Sequence, residues 1–162
     1  MTSAILTPNT CKKAWKALLP TLEAMYEFGI ADKYDGVVIV LDPTVPWSPS
    51  PAELPTLFTD VIGGKDTPPE YTSYAVRKAY ISWRTGRSSR DIQQNAPHLY
   101  EGGDVKWGGS VVREGLVVSF SGVQANLDES ISGMFADLML GMARQKMTRK
   151  GGIMAAKRNL LP

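Results

Sequence analysis

The feature that most limits the fold of this chain is a short apolar run, Gly36-Val37-Val38-Ile39-Val40-Leu41. Valine and isoleucine favour extended backbone, and a run of this length without polar alternation indicates a strand that is buried on both faces. Such a strand needs other elements packed above and below it. The run therefore predicts an α/β domain in which helices pack against a sheet.

The size and composition fit one domain of this kind. The chain has 162 residues, of which 43% are hydrophobic and 21% charged, so it can bury one hydrophobic core. No apolar stretch approaches the roughly 20 residues that span a bilayer, and the N-terminus lacks the pattern of a secretory signal. We expect a cytoplasmic protein with neither a membrane nor a nucleic acid as partner.

Metal and disulfide chemistry is limited by two single residues. Cys11 is the only cysteine, so an internal disulfide is excluded, and His98 is the only histidine. Together they are too few for a zinc site of the Cys/His type.

The C-terminal end is basic. No acidic residue follows Asp137, and the basic residues beyond it are Arg144, Lys146, Arg149, Lys150, Lys157 and Arg158. Since the whole chain carries +2, the rest carries a net −4. The end either contacts an anionic partner or cofactor carboxylate, or is solvated and frayed. We assign residues 1–146 to the domain and 147–162 to a basic tail.

The N-terminal half predicts a helix and a long irregular segment. Apolar residues at three- and four-residue steps predict a helix from Asn9 to Phe28, capped by Asn9 or Thr10, ended by Gly29 and kinked at Pro20. Seven of the eleven prolines lie between residues 42 and 70. A segment this long predicts a lid, a partner-binding arm or a large loop, with a short helix over residues 53–62.

The C-terminal half predicts two more helices and further strands. A helix is expected from Glu70 to Trp83, ending at Gly86, with Ser88 or Ser89 capping one more turn. A hairpin is predicted over residues 104–112 with its turn at Gly108-Gly109, and another strand over residues 116–120.

The last helix is predicted to begin at Asn126, with Glu129 completing a capping box. Gly133 and Gly141 inside it suggest close approach of a backbone or a ligand. Five methionines in this region indicate either an adaptable pocket or interface, or ordinary core; they are Met134, Met139, Met142, Met147 and Met154.

Three stretches resemble the GlcG/HbpS-like family of small haem- or ligand-binding proteins. The first is Glu27-Phe28-Gly29-Ile30 with the strand after it. The second is Ala75-Val76-Arg77-Lys78-Ala79-Tyr80, followed by Thr85-Gly86-Arg87-Ser88. The third is Gly102-Gly103, the strands after it, Ser121-Gly122 and Asp128. Together they cover most of residues 10–146.

The chain departs from the family pattern at three places. The family usually has a Gly-Gly-x-Pro segment, whereas Gly103 is followed here by Asp104-Val105 without a proline. Ile81 replaces a threonine, and family glycines are replaced by Leu116, Val118 and Ser119. The resemblance is that of a divergent member. It implies a profilin- or PAS-like single α+β domain, an antiparallel sheet packed with helices. It also implies a symmetric homo-oligomer and a haem or related tetrapyrrole as cofactor.

The resemblance also suggests where a ligand would bind. Lys78 is either a cation that pairs a carboxylate in the pocket or a solvated helix lysine. Ser121-Gly122 leads from a strand into a helix N-terminus, which either binds a carboxylate or phosphate or forms a tight turn. His98 is either a haem-iron ligand, a proton-transfer group or a surface residue. The predicted cofactor-binding residues are Lys78, His98, Gly102, Gly103, Ser121 and Gly122, with His98 as the metal ligand.

The predicted pocket lies between the Lys78 helix, the double glycine at 102–103 and the Ser121-Gly122 turn. The strands at residues 37–41 and 116–120 are expected to supply apolar walls, and the proline-rich loop with Trp47 and Phe58 is expected to close over the opening.

Three functions remain open from the sequence. The first is binding of haem or another small molecule. The second is a small cofactor-independent enzyme of the lyase, isomerase or hydrolase type that acts on an anionic small molecule. The third is a structural or regulatory subunit. A short-chain dehydrogenase pair at Tyr74 and Lys78 is excluded, because Asp42-Pro43 stands where the Gly-rich dinucleotide loop would follow the first strand.

Overall fold

A computed structural model describes residues 5–49, 53–64 and 67–149. Within these ranges the strands form one antiparallel sheet in the order β2-β1-β4-β3. This is the single α+β domain that the sequence predicts. In chain order the elements are α1 (Pro8–Glu27), β1 (Gly36–Leu41), β2 (Thr56–Ile62), α2 (Pro69–Thr85), α3 (Ser89–Asn95), a 3-10 turn (Pro97–Leu99), β3 (Ser110–Arg113), β4 (Leu116–Ser121) and α4 (Ala125–Arg149).

The sheet lies between two helical layers. Val38 and Val40 of β1 pack towards α1 and α4, whereas Val37 and Ile39 pack towards α2. Every residue of β1 is buried, so the prediction of a strand covered on both faces is confirmed. None of the described helices is long and apolar enough to cross a membrane.

Helix α1 starts at Pro8, one residue earlier than expected. Thr7, and neither Asn9 nor Thr10, is the N-cap, and its Oγ1 accepts a hydrogen bond from the Thr10 amide at 3.2 Å. Pro8 occupies the first helical position, where its missing N–H costs nothing. The helix continues through Pro20 and ends before Gly29.

The proline-rich segment contains a strand where a short helix was predicted. The prediction of a helix over residues 53–62 is wrong, because Thr56–Ile62 forms β2. This strand pairs antiparallel with β1, with Thr59 opposite Ile39 and Val61 opposite Val37. The β-branched residues of this segment favour extended backbone, and pairing with β1 decides the outcome.

The predicted hairpin turn is also displaced along the chain. Residues 104–107 form no strand, and the turn between β3 and β4 lies at Glu114-Gly115, whose φ angles are 51° and 81°. Two positive φ angles in succession are typical of a two-residue hairpin turn. Gly108-Gly109 instead leads into β3. The prediction for α2 holds, and Gly86 ends that helix in the left-handed conformation.

Helix α4 begins at Ala125, one residue before the predicted cap. The side chains of Asn126 and Glu129 do not form a capping box, because both accept hydrogen bonds from the Arg90 guanidinium. Among the described residues, no atom comes within 4 Å of a Cβ built on Gly141, so the close approach expected there is wrong. Met139 is core. Lys150, Met154, Lys157 and Arg158 lie outside the described residues.

Candidate functional site

Lys78 on α2 is buried and fully engaged by the protein. Its side chain is 2% exposed, and its Nζ lies 2.8 Å from Asp128 Oδ2, 3.3 Å from the Phe120 carbonyl oxygen and 3.4 Å from Ser121 Oγ. An ammonium has three N–H donors, so these three acceptors use all of them. The alternative of a solvated helix lysine is therefore excluded.

The ion pair between Lys78 and Asp128 joins the two helical layers, because α2 and α4 lie on opposite faces of the sheet. Gly109 makes room for it. A Cβ at this position would lie 2.6 Å from Lys78 Nζ and 2.8 Å from the Phe120 carbonyl oxygen, and the glycine φ is +139°. A glycine is thus needed at position 109 to leave space for the Lys78 side chain, and Gly109 does not form the hairpin turn.

Asp128 occupies the position that the sequence assigned to a ligand carboxylate. Its Oδ1 accepts hydrogen bonds from the backbone amides of Gly122 at 3.2 Å and Val123 at 3.0 Å. Burial raises the pKa of Asp128 above its ordinary 3.8, while the Lys78 ammonium and the two amides oppose that rise. The chain therefore fills its own anion site, since both the cation and the backbone donors are already used.

A cleft of about 280 Å³ opens beside this ion pair. Its polar floor includes Lys78, Asp128 and Ser121. The rings of Tyr74 and Trp107 meet edge to face across it, 5.5 Å apart between centroids. We call this space the aromatic cleft; Tyr71, Tyr74, Lys78, Trp107, Ser121, Gly122, Val123, Ala125 and Asp128 line it.

Two separate segments bring the rings together. Tyr71, Tyr74 and Lys78 are three and four residues apart, which places them on one face of α2. Trp107 comes from the loop before β3, and 55% of its surface is exposed. At the rim, Lys33 Nζ donates a hydrogen bond to the Tyr71 hydroxyl at 2.7 Å. The spacing on α2 was visible in the sequence, but no local pattern points to Trp107 or links Asp128 to Lys78.

The residues of the predicted site do not all meet. Lys78, Ser121 and Gly122 line the aromatic cleft. Gly102 and Gly103 are exposed outside it, and the Gly103 carbonyl accepts a hydrogen bond from Arg77 at 3.3 Å. The predicted walls differ as well, since strands β1 and β4 point their apolar side chains into the core.

His98 lies on the 3-10 turn, beside a different cleft of about 430 Å³. The side chain of Trp47 lines this second cleft, and Phe58 packs against Phe135 in the core. Neither residue therefore closes over the aromatic cleft in the way the sequence suggested. The second cleft is lined by Trp47, Arg84, Thr85, His98, Leu99, Tyr100 and Glu101.

The surroundings of His98 do not fit a buried haem. Its side chain is exposed, and the neighbouring Arg84 forms ion pairs with Glu101 and Asp104. A macrocycle needs a mostly apolar slot with an axial ligand pointing into it. In the part of the chain that the structure describes, no three histidine, cysteine or acidic side chains are grouped to hold a metal ion. Haem binding stays a prediction.

Comparison with known proteins supports the fold. No protein-family model matches the chain, and no curated protein sequence matches it. Among solved structures, it is similar to the Klebsiella pneumoniae protein ORFY of the DUF336 family, with 13% identity and a TM-score of 0.55 over 79% of this chain and 88% of that one. It is also similar to the Ybr137w protein, with 15% identity and a TM-score of 0.51 over 76% of each chain.

The ORFY family is that of GlcG-like proteins, so the structural likeness supports the GlcG-like fold that the sequence suggested. At 13–15% identity the likeness concerns the fold alone.

Proposed function

We propose that this protein binds a small molecule in the aromatic cleft, with a flat or apolar part of the ligand against Tyr74 and Trp107. The observation that carries this proposal is that Tyr71, Tyr74 and Trp107, from two segments, line one cleft beside a buried ion pair. Ligand sites typically combine apolar and aromatic walls with a few polar groups that fix orientation. Here the uncharged polar side chains that line the cleft are those of Ser121, Tyr71 and Tyr74.

The charges of the cleft favour a ligand without a strong net charge at the buried end. Lys78 and Asp128 neutralise each other at 2.8 Å, so the floor offers no unpaired charge to an incoming carboxylate. Lys33 places a positive charge at the rim, beside Tyr71. Ring contacts and hydrogen bonds would therefore supply most of the affinity, with an anionic group of the ligand accommodated towards Lys33.

Haem is the ligand that the family resemblance implied, and the GlcG-like fold keeps it a candidate. The size of the cleft argues for something smaller. Pockets that hold drug-sized ligands enclose roughly 300–1,000 Å³, and the aromatic cleft of one chain encloses about 280 Å³. We therefore rank a single-ring or double-ring metabolite above a tetrapyrrole.

A binding screen with matched tryptophan variants tests the proposal. Ligand-observed NMR with a panel of aromatic metabolites, and a haemin titration followed in the Soret region, are run on the native chain, Trp107→Ala and Trp47→Ala. A ring contact contributes about 0.5–1.5 kcal/mol, so Trp107→Ala should weaken binding roughly threefold to tenfold. Trp47→Ala, which removes the same side chain from the second cleft, should leave it unchanged.

Either of two results would contradict this assignment. Binding that weakens in Trp47→Ala and persists in Trp107→Ala would place the ligand in the second cleft. A saturable Soret change that depends on His98 would restore the haem prediction.

Metal-free catalysis in the same cleft is the second candidate, and one observation favours it. Asp128 lines the cleft, and burial raises its pKa; carboxyl groups of this kind are frequent acid–base catalysts. Following each bound compound by NMR over hours distinguishes the two functions, because an enzyme converts its ligand whereas a binding protein returns it unchanged.

A further inference from the structure

We propose that the outer edge of β2 pairs antiparallel with β2 of a second copy of this chain, joining two four-stranded sheets into one continuous sheet. The proposal concerns a surface separate from the aromatic cleft and does not depend on the ligand. The two edges of the sheet differ in whether their outward backbone groups are already bonded within the chain.

The β3 edge is closed by the chain itself. The backbone amide of Ser110 donates to Ser89 Oγ at 3.0 Å, and the amide of Val112 donates to Ser88 Oγ at 3.0 Å. Ser89 Oγ in turn donates to the Ser110 carbonyl at 3.3 Å. The start of α3 therefore satisfies the outward backbone groups of β3, and no second strand can add there.

The backbone groups of β2 that face outward follow from the register. The Phe120 amide donates to the Gly109 carbonyl, on the β3 side of β4, so Ser119 must direct its backbone groups towards β1. Ser119 is paired with Ile39, so the backbone groups of Ile39 face β4. Because these directions alternate along a strand, the backbone groups of the neighbouring Val38 face β2.

Val38 is paired with Asp60, and so Asp60 faces inward, towards β1. Its neighbours Thr59 and Val61 direct their N–H and C=O groups away from the sheet. In the described part of the chain, the backbone groups of these two residues make no hydrogen bond.

The edge of β2 lacks the usual protection against pairing. Native edge strands often carry lysine or another charged residue, or a proline, and these residues prevent another strand from adding. The sequence of β2 contains no lysine, arginine or proline, and its one charged residue is Asp60. Val61 is 45% exposed. It lies on the α2 side of the sheet, where α2 packs over β1, β4 and β3. An open, mainly uncharged edge of this kind is a surface for strand addition.

The strand is complementary to itself. A two-fold axis at Thr59 would place Thr59 opposite its own copy, Val61 opposite the second Leu57, and Asp60 opposite the second Phe58. Directly opposed like charges destabilise a sheet, whereas Thr–Thr and apolar pairs stabilise it, and this register keeps the two carboxylates apart. A two-fold pairing is closed, so assembly at this edge stops at a dimer.

Two substitutions on the edge and one on α2 test the proposal by analytical ultracentrifugation at tens of micromolar. Val61→Lys adds a charge to the edge, and Thr59→Pro removes an outward N–H that makes no bond within the sheet. Val76→Lys is the matched control, because Val76 is 37% exposed on α2, away from the edge. The native chain and Val76→Lys should be dimers, and both edge variants should raise the dissociation constant more than about tenfold.

Amide hydrogen exchange on the same samples locates the interface. The Thr59 and Val61 amides should exchange slowly in the native dimer and quickly in Val61→Lys, with unchanged exchange in β1. A native chain that is monomeric at these concentrations overturns the proposal. So does a dimer that persists in Val61→Lys, or one in which the Thr59 and Val61 amides exchange quickly.

Discussion

The two faces of the sheet are stabilised by different chemistry. On the α1 and α4 side, Trp15, Phe120 and Phe135 pack ring against ring, with centroids 5.0 Å apart for Trp15 and Phe135. On the α2 side, the apolar cluster is small and the buried groups include Lys78 and several serines. The first face gives the domain its core. The second opens into the cleft and carries the groups that can recognise a ligand.

The polar face depends on the close approach of α2 to the sheet. Ala75 and Ala79 present the smallest side chains to the strands. Strand serines therefore reach the helix backbone: Ser119 Oγ donates to the Ala75 carbonyl at 2.8 Å, and Ser110 Oγ to the Lys78 carbonyl at 2.8 Å. These bonds fix the height and rotation of α2, and so the position of Tyr74 and Lys78 at the cleft.

The largest expected effect is that of breaking the ion pair that joins the two faces. Lys78→Met leaves the Asp128 carboxylate buried without its cation, and removal of one partner of a buried pair typically costs about 3–5 kcal/mol. The free energy of unfolding, measured in urea, should fall by that amount. A solvated helix lysine, the alternative that the sequence left open, could be replaced without such a loss.

The double variant Lys78→Met/Asp128→Asn provides the control. It removes both charges and leaves an amide oxygen to accept from the Gly122 and Val123 backbone, so it should recover part of the loss. If Lys78→Met alone costs less than about 1 kcal/mol, the pair contributes no more than a surface ion pair, and the role given to it here is wrong.

A smaller effect is expected from filling the space beside the lysine. Gly109→Ala would place a Cβ 2.6 Å from Lys78 Nζ at a φ of +139°, and backbone strain of this kind costs on the order of 1–3 kcal/mol. Gly108→Ala is the matched control, because its new Cβ would meet its nearest neighbours at 3.5 Å or more. Thermal unfolding should separate the two variants. Equal melting temperatures would contradict the reason given for Gly109.

The difference between the faces also explains what the sequence could predict. The apolar face follows from periodicity, so β1, α1 and α4 were placed within a few residues. Strand β2 was not predicted, because its extended backbone depends on pairing with β1, from which a long loop separates it in the sequence. The polar face depends on contacts between distant residues: Lys78 and Asp128 are 50 positions apart. Lys78 was assigned to the site through a family resemblance, whereas Asp128 was named only as part of that resemblance and given no role in the site.

The smallest expected effect concerns Cys11, which measures how tightly the apolar face is closed. Burial among hydrocarbon raises the pKa of its thiol from 9.0 to about 11, and its exposed fraction is 0%. Because the folded protein holds this proton more tightly than the unfolded chain, the contribution to stability is fully present below pH 9 and is lost as the pH rises through about 11.

At pH 8 the Cys11 thiol is neither ionised nor accessible, so iodoacetamide should leave the native protein unmodified and label it completely in urea. A Val76→Cys variant, with a second thiol on the exposed surface of α2, should be labelled once when folded and twice when unfolded. Mass spectrometry counts the added groups, and rapid labelling of Cys11 in the native chain would mean that α1 separates from the sheet far more often than a closed core allows.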